Sequence, residues 1–266
     1  RDFQMDLQLN GKLALVTGST KGIGLAIATA LAREGAEVIV NGRSEASLAQ
    51  AIEKITERVA GARLLGFAGD LADADVAAAL VKRFPDIDIL VNNLGIFEPK
   101  PFDEIPDEDW RRFFDVNVLS GVRLARAYLA GMKRHDWGRI VFISSESAIQ
   151  IPQEMIHYGM TKTAQLAVSR GIAETCAGTG VTCNAVLPGP THSDGVEDFV
   201  AKLSGGAPFA EFEREFFKSA RPSSLLKRFA STDEVANLVA FVCSPLSSAT
   251  NGAALRVDGG VVRSCV

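Results

Sequence analysis

The sequence has no long hydrophobic run. Its longest apolar stretches, such as 140–143, are strand-sized. A membrane-spanning helix needs roughly 20 apolar residues, so no membrane partner is expected. The opening residues, Arg1-Asp2-Phe3-Gln4-Met5, contain no apolar signal core. Met5 is a candidate native start, and the cytoplasm is the expected compartment. Cysteine is scarce: Cys176, Cys183, Cys243 and Cys265 are the only four, and none shows C-x-x-C spacing. That favours free thiols in a reducing compartment over disulfides or zinc. Three histidines, His135, His157 and His192, are a poor basis for a His-rich metal site. A basic excess is also missing. The 28 Lys and Arg residues are outnumbered by 32 Asp and Glu, for a net charge of −4. Nucleic acid is therefore not an expected partner.

What is present suits a soluble core: 47% hydrophobic residues and 23% charged. A length of 266 residues fits one continuous α/β sheet. No repeat, low-complexity tract or linker divides the chain, so residues 1–266 are expected to form a single domain. Apolar runs at 12–16, 37–41, 63–68, 88–92, 139–144, 181–187 and 254–257 alternate with helical patterns at 22–34, 45–60, 74–84, 107–134, 157–177 and 232–243. The runs are apolar throughout rather than alternating, as buried parallel strands should be. The spacing predicts right-handed βαβ crossovers and a Rossmann-type, doubly wound parallel sheet of about seven strands with helices on both faces. Residues 192–226 break the alternation.

Thr17-Gly18-Ser19-Thr20-Lys21-Gly22-Ile23-Gly24 lies between the first strand and its helix. Gly18 permits a tight turn, Gly22 lets backbone approach a pyrophosphate, and Gly24 lets helix and strand pack closely. The helix N-terminus would then present free N–H groups and its positive dipole end to phosphates. The spacing is G-x-x-x-G-x-G rather than the commoner G-x-G-x-x-G. After the second strand the chain reads Asn41-Gly42-Arg43-Ser44. A site selecting the ribose 2′-hydroxyl places an acid about 20 residues after the glycines, and here Gly42 takes that position. With no carboxylate to repel a 2′-phosphate and Arg43 to bind it, NADP is favoured, with NAD as the alternative. Lys21 would add to the positive field.

Tyr158 and Lys162 are four apart at the start of a helix and share one face. A phenol titrates near pH ~10 in water, and a neighbouring ammonium lowers that value toward neutrality, making tyrosine a usable general acid/base. Ser144-Ser145 ends the fifth strand, with Ser145 thirteen residues before Tyr158. Asn92-Asn93-Leu94-Gly95 ends the fourth strand and Pro188-Gly189-Pro190-Thr191 the sixth. In an open parallel sheet all these carboxyl ends line one crevice.

Taken together, these motifs resemble the short-chain dehydrogenase/reductase family, in its branch of single-domain enzymes of about 250 residues. The resemblance runs from about Leu9 to Val262. It rests on T-G-x-x-x-G-I-G at Thr17–Gly24, N-N-x-G at Asn92–Gly95, the Asn of D-V-N-V at Asn117, the Ser144-Ser145 pair, Y-x-x-x-K at Tyr158–Lys162, P-G-x-T at Pro188–Thr191 and D-G-G at Asp258–Gly260. It implies that Tyr158 exchanges the substrate proton and that Lys162 lowers the tyrosine pKa and binds the nicotinamide ribose. It also implies that Ser145 hydrogen-bonds the substrate oxygen and that Asn117 holds a water linking Lys162 to solvent. Asp70, with Leu71 beside it, would contact the adenine. Asn92 or Asn93 would support the cofactor, Pro188 and Gly189 would flank it, and Thr191 would bind the carboxamide. A homotetramer is implied, with the helices at 107–134 and 157–177 in one interface. Leu94 departs from the family's usual alanine and would tighten or reshape the cofactor wall.

Residues 192–226 stand where this family covers its substrate, and carry Phe199, Phe209, Phe212, Phe216 and Phe217. Phe209, Phe212 and Phe216 have helical spacing. Packing of a lid helix onto the body is preferred over an apolar pocket under a mobile lid. Glu146, Gln150, Gln153, Met155 and His157 lie near Ser145 and Tyr158 in sequence. The leading expectation is an NADP(H)-dependent reductase or dehydrogenase of a carbonyl or secondary alcohol. The alternatives are a 3-oxoacyl-thioester reductase and, in another class, a cofactor-binding regulator without chemistry.

Overall fold

A computed structural model describes residues 5–193 and 208–265. Seven parallel strands form the central sheet: β1 Leu13–Val16, β2 Glu37–Gly42, β3 Arg63–Ala68, β4 Ile89–Asn92, β5 Gly138–Ile143, β6 Val181–Pro188 and, last in the chain, β9 Ala254–Val257. Their order across the sheet is β3-β2-β1-β4-β5-β6-β9. Each strand except the last feeds a crossover helix that returns the chain to the same end of the sheet, so every strand's carboxyl end emerges at one edge.

The pleat divides the core into two layers. Ala14, Val16, Ile89, Val91, Val141 and Ile143 pack with helices α1 Gly22–Arg33, α2 Glu45–Arg58 and α8 Thr232–Cys243. Their neighbours Leu15, Leu90, Ile140 and Phe142 face α3 Ala74–Arg83, α5 Ser120–Arg134 and α6 Ile156–Thr175. Successive side chains of one strand thus enter opposite layers, and both layers are apolar, as the unbroken apolar runs require. Among the described residues, no helix is long and apolar enough to cross a membrane. The four cysteines are free thiols, with Cys176, Cys183 and Cys243 buried and Cys265 exposed.

Two features depart from the sequence pattern. The helix expected over 107–134 is interrupted: α4 Asp107–Phe114 runs into a π-helical turn, Asp115–Leu119, before α5 resumes. The apolar periodicity carries straight through this turn, so the pattern alone reads as one helix. Second, a two-residue parallel ladder joins β7 Thr191–His192 to β8 Ala230–Ser231, and α7 Phe209–Ser219 lies between them in the chain. Phe199 lies outside the described residues.

The β7/β8 ladder and α8 are joined by a reciprocal cap. Ser231 Oγ accepts from the Glu234 backbone N–H at 3.1 Å, and Glu234 Oε2 accepts from the Ser231 N–H at 2.8 Å. Two otherwise unpaired donors are satisfied at the start of the helix that packs on α1. Ser231→Ala should therefore destabilise the protein by about 1 kcal/mol, read as a lowered urea midpoint with an unchanged slope.

Candidate active site

Side-chain amides build the glycine turn at the carboxyl ends of β1 and β2. Asn41 Oδ1 accepts from the Gly18 N–H at 3.0 Å, while its Nδ2 donates to Phe67 O and Gly69 O, both at 3.1 Å. Asn93 Nδ2 donates to Thr17 O at 2.9 Å and Gly18 O at 3.0 Å. Gly18 and Gly22 have φ of 60° and 56°, the left-handed region that glycine tolerates. Gly24 is required for a different reason. A Cβ there would lie 2.4 Å from Gly18 O and 2.5 Å from Asn93 Nδ2. The helix α1 opens at Gly22 with no acidic residue in its first turn, so its free N–H groups face an anion site unopposed.

Thr20, Lys21, Gly22 and Ile23 line a cavity of about 620 Å³ that also takes in Arg43, Asp70 and Leu71. Ser19 does not reach it. Its fully buried hydroxyl donates to Val16 O at 2.7 Å and accepts from the Asn41 N–H at 2.9 Å, so its work is inside the turn. At the end of β2, a Cβ on Gly42 would come within 2.3 Å of Thr20 Cγ2. A carboxylate at that position would need Thr20 displaced. Arg43 and Lys21 are exposed at the cavity rim, and neither is paired with a carboxylate among the described residues. Asp70 is exposed, its Oδ1 accepting from the Ala72 N–H at 3.0 Å, while Leu71 is buried beside it.

After β4, Asn93, Leu94 and Gly95 line the cavity, but Asn92 does not. Asn92 is buried behind that wall with its amide unpartnered. Of the two asparagines considered as supports, only Asn93 is placed for it. Leu94 packs its side chain into the core layer beneath Gly18, and its N–H donates to Thr17 Oγ1 at 2.9 Å. It therefore braces the turn and forms part of the wall without blocking it. On the opposite side, Pro188, Gly189 and Thr191 line the cavity. A Cβ on Gly189 would lie 2.5 Å from Asp258 O, and Thr191 Oγ1 donates to Gly189 O at 2.9 Å. The D-G-G segment holds the exit of the covering segment: Gly259 O accepts from the Leu225 and Leu226 N–H groups at 2.8 and 2.9 Å.

Tyr158 and Lys162 project from the first turns of α6 into the same cavity, where Ser145 meets them from the end of β5. Lys162 Nζ donates to Ile143 O at 3.0 Å and sits 5.5 Å from the Tyr158 ring centroid. Ser144 Oγ is spent on Lys162 O at 2.9 Å. Ser145 Oγ instead hydrogen-bonds Glu146 Oε2 at 2.5 Å and accepts from the Ser147 N–H at 3.1 Å. Burial dominates the electrostatics. It pushes the Tyr158 phenol up; the Glu146 carboxylate adds to that, while the Ser145 hydrogen bond and the Arg221 guanidinium oppose it. Burial also pushes the Lys162 ammonium down, to about 8. Lys162 is not among the groups that shift Tyr158, so the lowering implied for it is not seen here; burial sets the direction for both groups.

Asn117, in the π-turn, does not line the cavity. Its Oδ1 accepts from the Ile96 N–H at 2.8 Å, and its Nδ2 donates to Ile96 O and Thr161 Oγ1, both at 3.0 Å. Its backbone carbonyl accepts from Gln165 Nε2 at 2.6 Å. The side chain fixes the β4 exit loop against α6 from behind. Gln165 had no sequence signal, because a glutamine one turn beyond Lys162 looks like any helical surface residue. Asn41 was read only as part of a strand end, because its role depends on β3 lying beside β2.

The far end of the cavity is walled by α7 and Phe229. Phe212 and Phe216 line it with Phe229, their rings stacked 6.5 and 5.0 Å from that of Phe229. Phe217 is buried, and Phe209 packs on Phe229 at 5.6 Å. The packing expected of this stripe and the apolar pocket considered beside it fall on different residues of one helix. Glu146, Glu154 and Met155 line the cavity with Arg221, whereas His157 points away, its ring 4.0 Å from that of Phe113. Burial pushes the His157 imidazole down.

A family model described as Enoyl-(Acyl carrier protein) reductase matches residues 18–262. The chain is 52% identical to the uncharacterized oxidoreductase YvaG of Bacillus subtilis, covering 98% of this chain and 99% of that one. It is 34% identical to the 3-oxoacyl-[acyl-carrier-protein] reductase FabG of Aquifex aeolicus, over 97% of this chain and 100% of the relative. Among solved structures, L-sorbose reductase from Gluconobacter frateurii, complexed with NADPH and L-sorbose, superposes with a TM-score of 0.92 at 32% identity. That match covers 98% of this chain and 100% of the other.

The packing at Gly24 yields a direct test. Gly24→Ala must push the turn off Asn93, and should weaken dinucleotide binding at least tenfold, measured by fluorescence titration with NADPH.

Proposed function

The chain belongs to the short-chain dehydrogenase/reductase family, and on that premise we propose that it transfers hydride between NADP(H) and the carbonyl carbon of a ketone or secondary alcohol. The observation that carries this reading is the convergence of Tyr158, Lys162, Ser145 and the glycine turn on one cavity of about 620 Å³. A cofactor-binding regulator would need the glycine turn but not Tyr158 and Ser145 turned toward the same space.

The residues present fit a dinucleotide. The backbone of Thr20 to Gly24 and the α1 N-terminus would hold the pyrophosphate. Asp70 and Leu71 would flank the adenine, Asn93 and Leu94 would support the middle of the molecule, and Gly189 and Thr191 would border the nicotinamide. Arg43 and Lys21 would receive a 2′-phosphate, and no carboxylate stands at Gly42 to select a free 2′-hydroxyl; one there would first have to displace the Thr20 methyl. When bound, the reduced cofactor supplies the hydride.

In the reductive direction Tyr158 gives its proton to the carbonyl oxygen as that oxygen gains charge. Ser145 donates a hydrogen bond to the same atom, which lowers the cost of the developing negative charge. Burial lowers the Lys162 pKa to about 8. An ammonium beside the ring would favour the phenolate left after proton transfer. Asn117 and Gln165 hold the loop and helix that set this spacing. The phenylalanine wall also suits an acyl chain, which keeps a 3-oxoacyl thioester as the second reading of the substrate.

The proposal extends to one domain over residues 1–266, with 192–226 as the substrate cover, and to a cytoplasmic homotetramer built on α4, α5 and α6. Tyr158→Phe should lower turnover by roughly 10²–10⁴-fold, the range for losing a general acid, with the NADPH dissociation constant nearly unchanged. Turnover close to wild type would refute the mechanism. Arg43→Ala should raise the NADPH dissociation constant while sparing NADH; titrations that move together would refute the selectivity.

A further inference from the structure

Next to the reacting serine stands a buried carboxylate that proton transfer from Tyr158 does not need. Glu146 follows Ser145 in a 3₁₀ turn, and its side chain is 7% exposed. Its Oε2 is the partner of Ser145 Oγ at 2.5 Å. Its Oε1 accepts from Arg221 Nε at 3.3 Å. Arg221, just past the end of α7, is also well covered; its Nη1 donates to Glu154 Oε1 at 3.2 Å and to Ala220 O at 2.9 Å. All three charged groups line the cavity that holds Tyr158.

A buried carboxylate is retained at a cost in desolvation that pairing only partly offsets. A pair serving stability alone would have no reason to touch the catalytic hydroxyl. The hydroxyl has one hydrogen, so Ser145 cannot donate to Glu146 and to a substrate carbonyl together. When it turns to the substrate, Glu146 Oε2 loses its donor at a buried position, and an unpaired buried acceptor is expensive. A substrate hydroxyl on the carbon next to the carbonyl would replace the lost donor. One C–C bond sets its oxygen off from the carbonyl oxygen, a separation close to that between Ser145 Oγ and Glu146 Oε2.

Charge at this end narrows the substrate further. Glu146 and Glu154 share a single guanidinium, Arg221. Arg112, on the same cavity wall, is held by Glu98 at 2.9 Å and Asp109 at 3.0 Å. Lys100 is held by Asp109. Among the described residues, no unpaired cation at this end is left to receive a substrate carboxylate, and the local balance is negative.

We propose that Glu146 is a specificity-determining residue for an uncharged α-hydroxy ketone: it accepts the substrate's α-hydroxyl while Ser145 turns to the carbonyl, and Arg221 holds the Glu146 carboxylate in place. This rests on the reductase reading above. The reaction converts the ketone to a vicinal diol. Hydride from NADPH forms the new C–H bond at the carbonyl carbon, the carbon–oxygen π pair moves to oxygen, and that oxygen takes the Tyr158 proton. The phenylalanine wall formed by Phe212, Phe216 and Phe229 would cover the remainder of the carbon chain.

Three ketones of similar size separate the possibilities: hydroxyacetone, methyl ethyl ketone, which lacks the hydroxyl, and pyruvate, which carries a carboxylate. Wild-type enzyme with NADPH should show kcat/KM for hydroxyacetone at least about tenfold above either of the others, since a site built to bond a hydroxyl discriminates against its absence. Glu146→Gln should shrink the preference for hydroxyacetone over pyruvate by about tenfold, because a like charge facing the carboxylate is removed. It should also move the pH profile of kcat/KM to lower pH, because the carboxylate no longer opposes ionisation of Tyr158, which faces Glu146, Arg221 and Lys162. A Glu146 that never touches the substrate would still move the profile, because its charge faces Tyr158, but would leave wild-type hydroxyacetone no better a substrate than methyl ethyl ketone. Equal wild-type kcat/KM for the three ketones overturns the assignment whether or not the variant folds, and so does an unchanged ratio in a folded Glu146→Gln. Failure to oxidise NADPH with these ketones or any of a broad carbonyl panel overturns the reductase reading itself.

Discussion

A parallel sheet delivers every strand's last carbonyl groups to one edge, and they must find donors there. That requirement organises the site. Asn41 bonds the ends of β3 and the glycine turn, Asn93 bonds Thr17 and Gly18, Asn117 clamps Ile96, and Lys162 bonds Ile143. Each of these contacts closes a strand end or an exit loop, and each also fixes a wall of the cavity. Fold stability and site geometry therefore rest on the same hydrogen bonds. Asn41 shows the economy of this arrangement: one amide side chain ties β2 to both the glycine turn and the loop leaving β3.

How much of this was legible in the sequence depends on the range of the interaction. The strands were readable because burial on both faces makes them apolar throughout, and their bounds fall within a residue of expectation. The glycine turn was readable because its backbone demands act over a few positions. Tyr158, Lys162 and Ser145 were readable as a constellation of local motifs. Ser19, Asn92 and Asn117 were placed correctly in the neighbourhood, but their side chains point into the scaffold rather than the cavity, a distinction set by packing that spacing does not record. Arg221, Phe229 and Gln165 left no local trace, because each acts on a residue far along the chain. The short β7/β8 ladder was missed for the same reason: two residues carry no periodicity.

Along its length the cavity changes electrostatic character. Near the glycine turn, Lys21, Arg43 and the α1 N-terminus outnumber the one carboxylate there, Asp70, and offer positive potential suited to phosphates. At the covered end, cations and carboxylates are matched pair by pair, with the carboxylates in slight excess. Tyr158 and Lys162 sit between these regions, both shielded from solvent and both held away from their solution titration range by that shielding. The two ends thus differ in charge, with Tyr158 and Lys162 at the boundary.

The π-turn at Asp115–Leu119 has a further meaning when the helix is viewed as a count of residues. Its i→i+5 bonds take one residue more per turn than the α-helical turns on either side. Removing a single residue there would restore regular α-helix while swinging Asn117 through about 100°, the angle per residue, away from Ile96. The gap between α4 and α5 therefore behaves as a reading frame. Its length sets where Asn117 points, and the more regular helix would be the one that loses the clamp on Ile96.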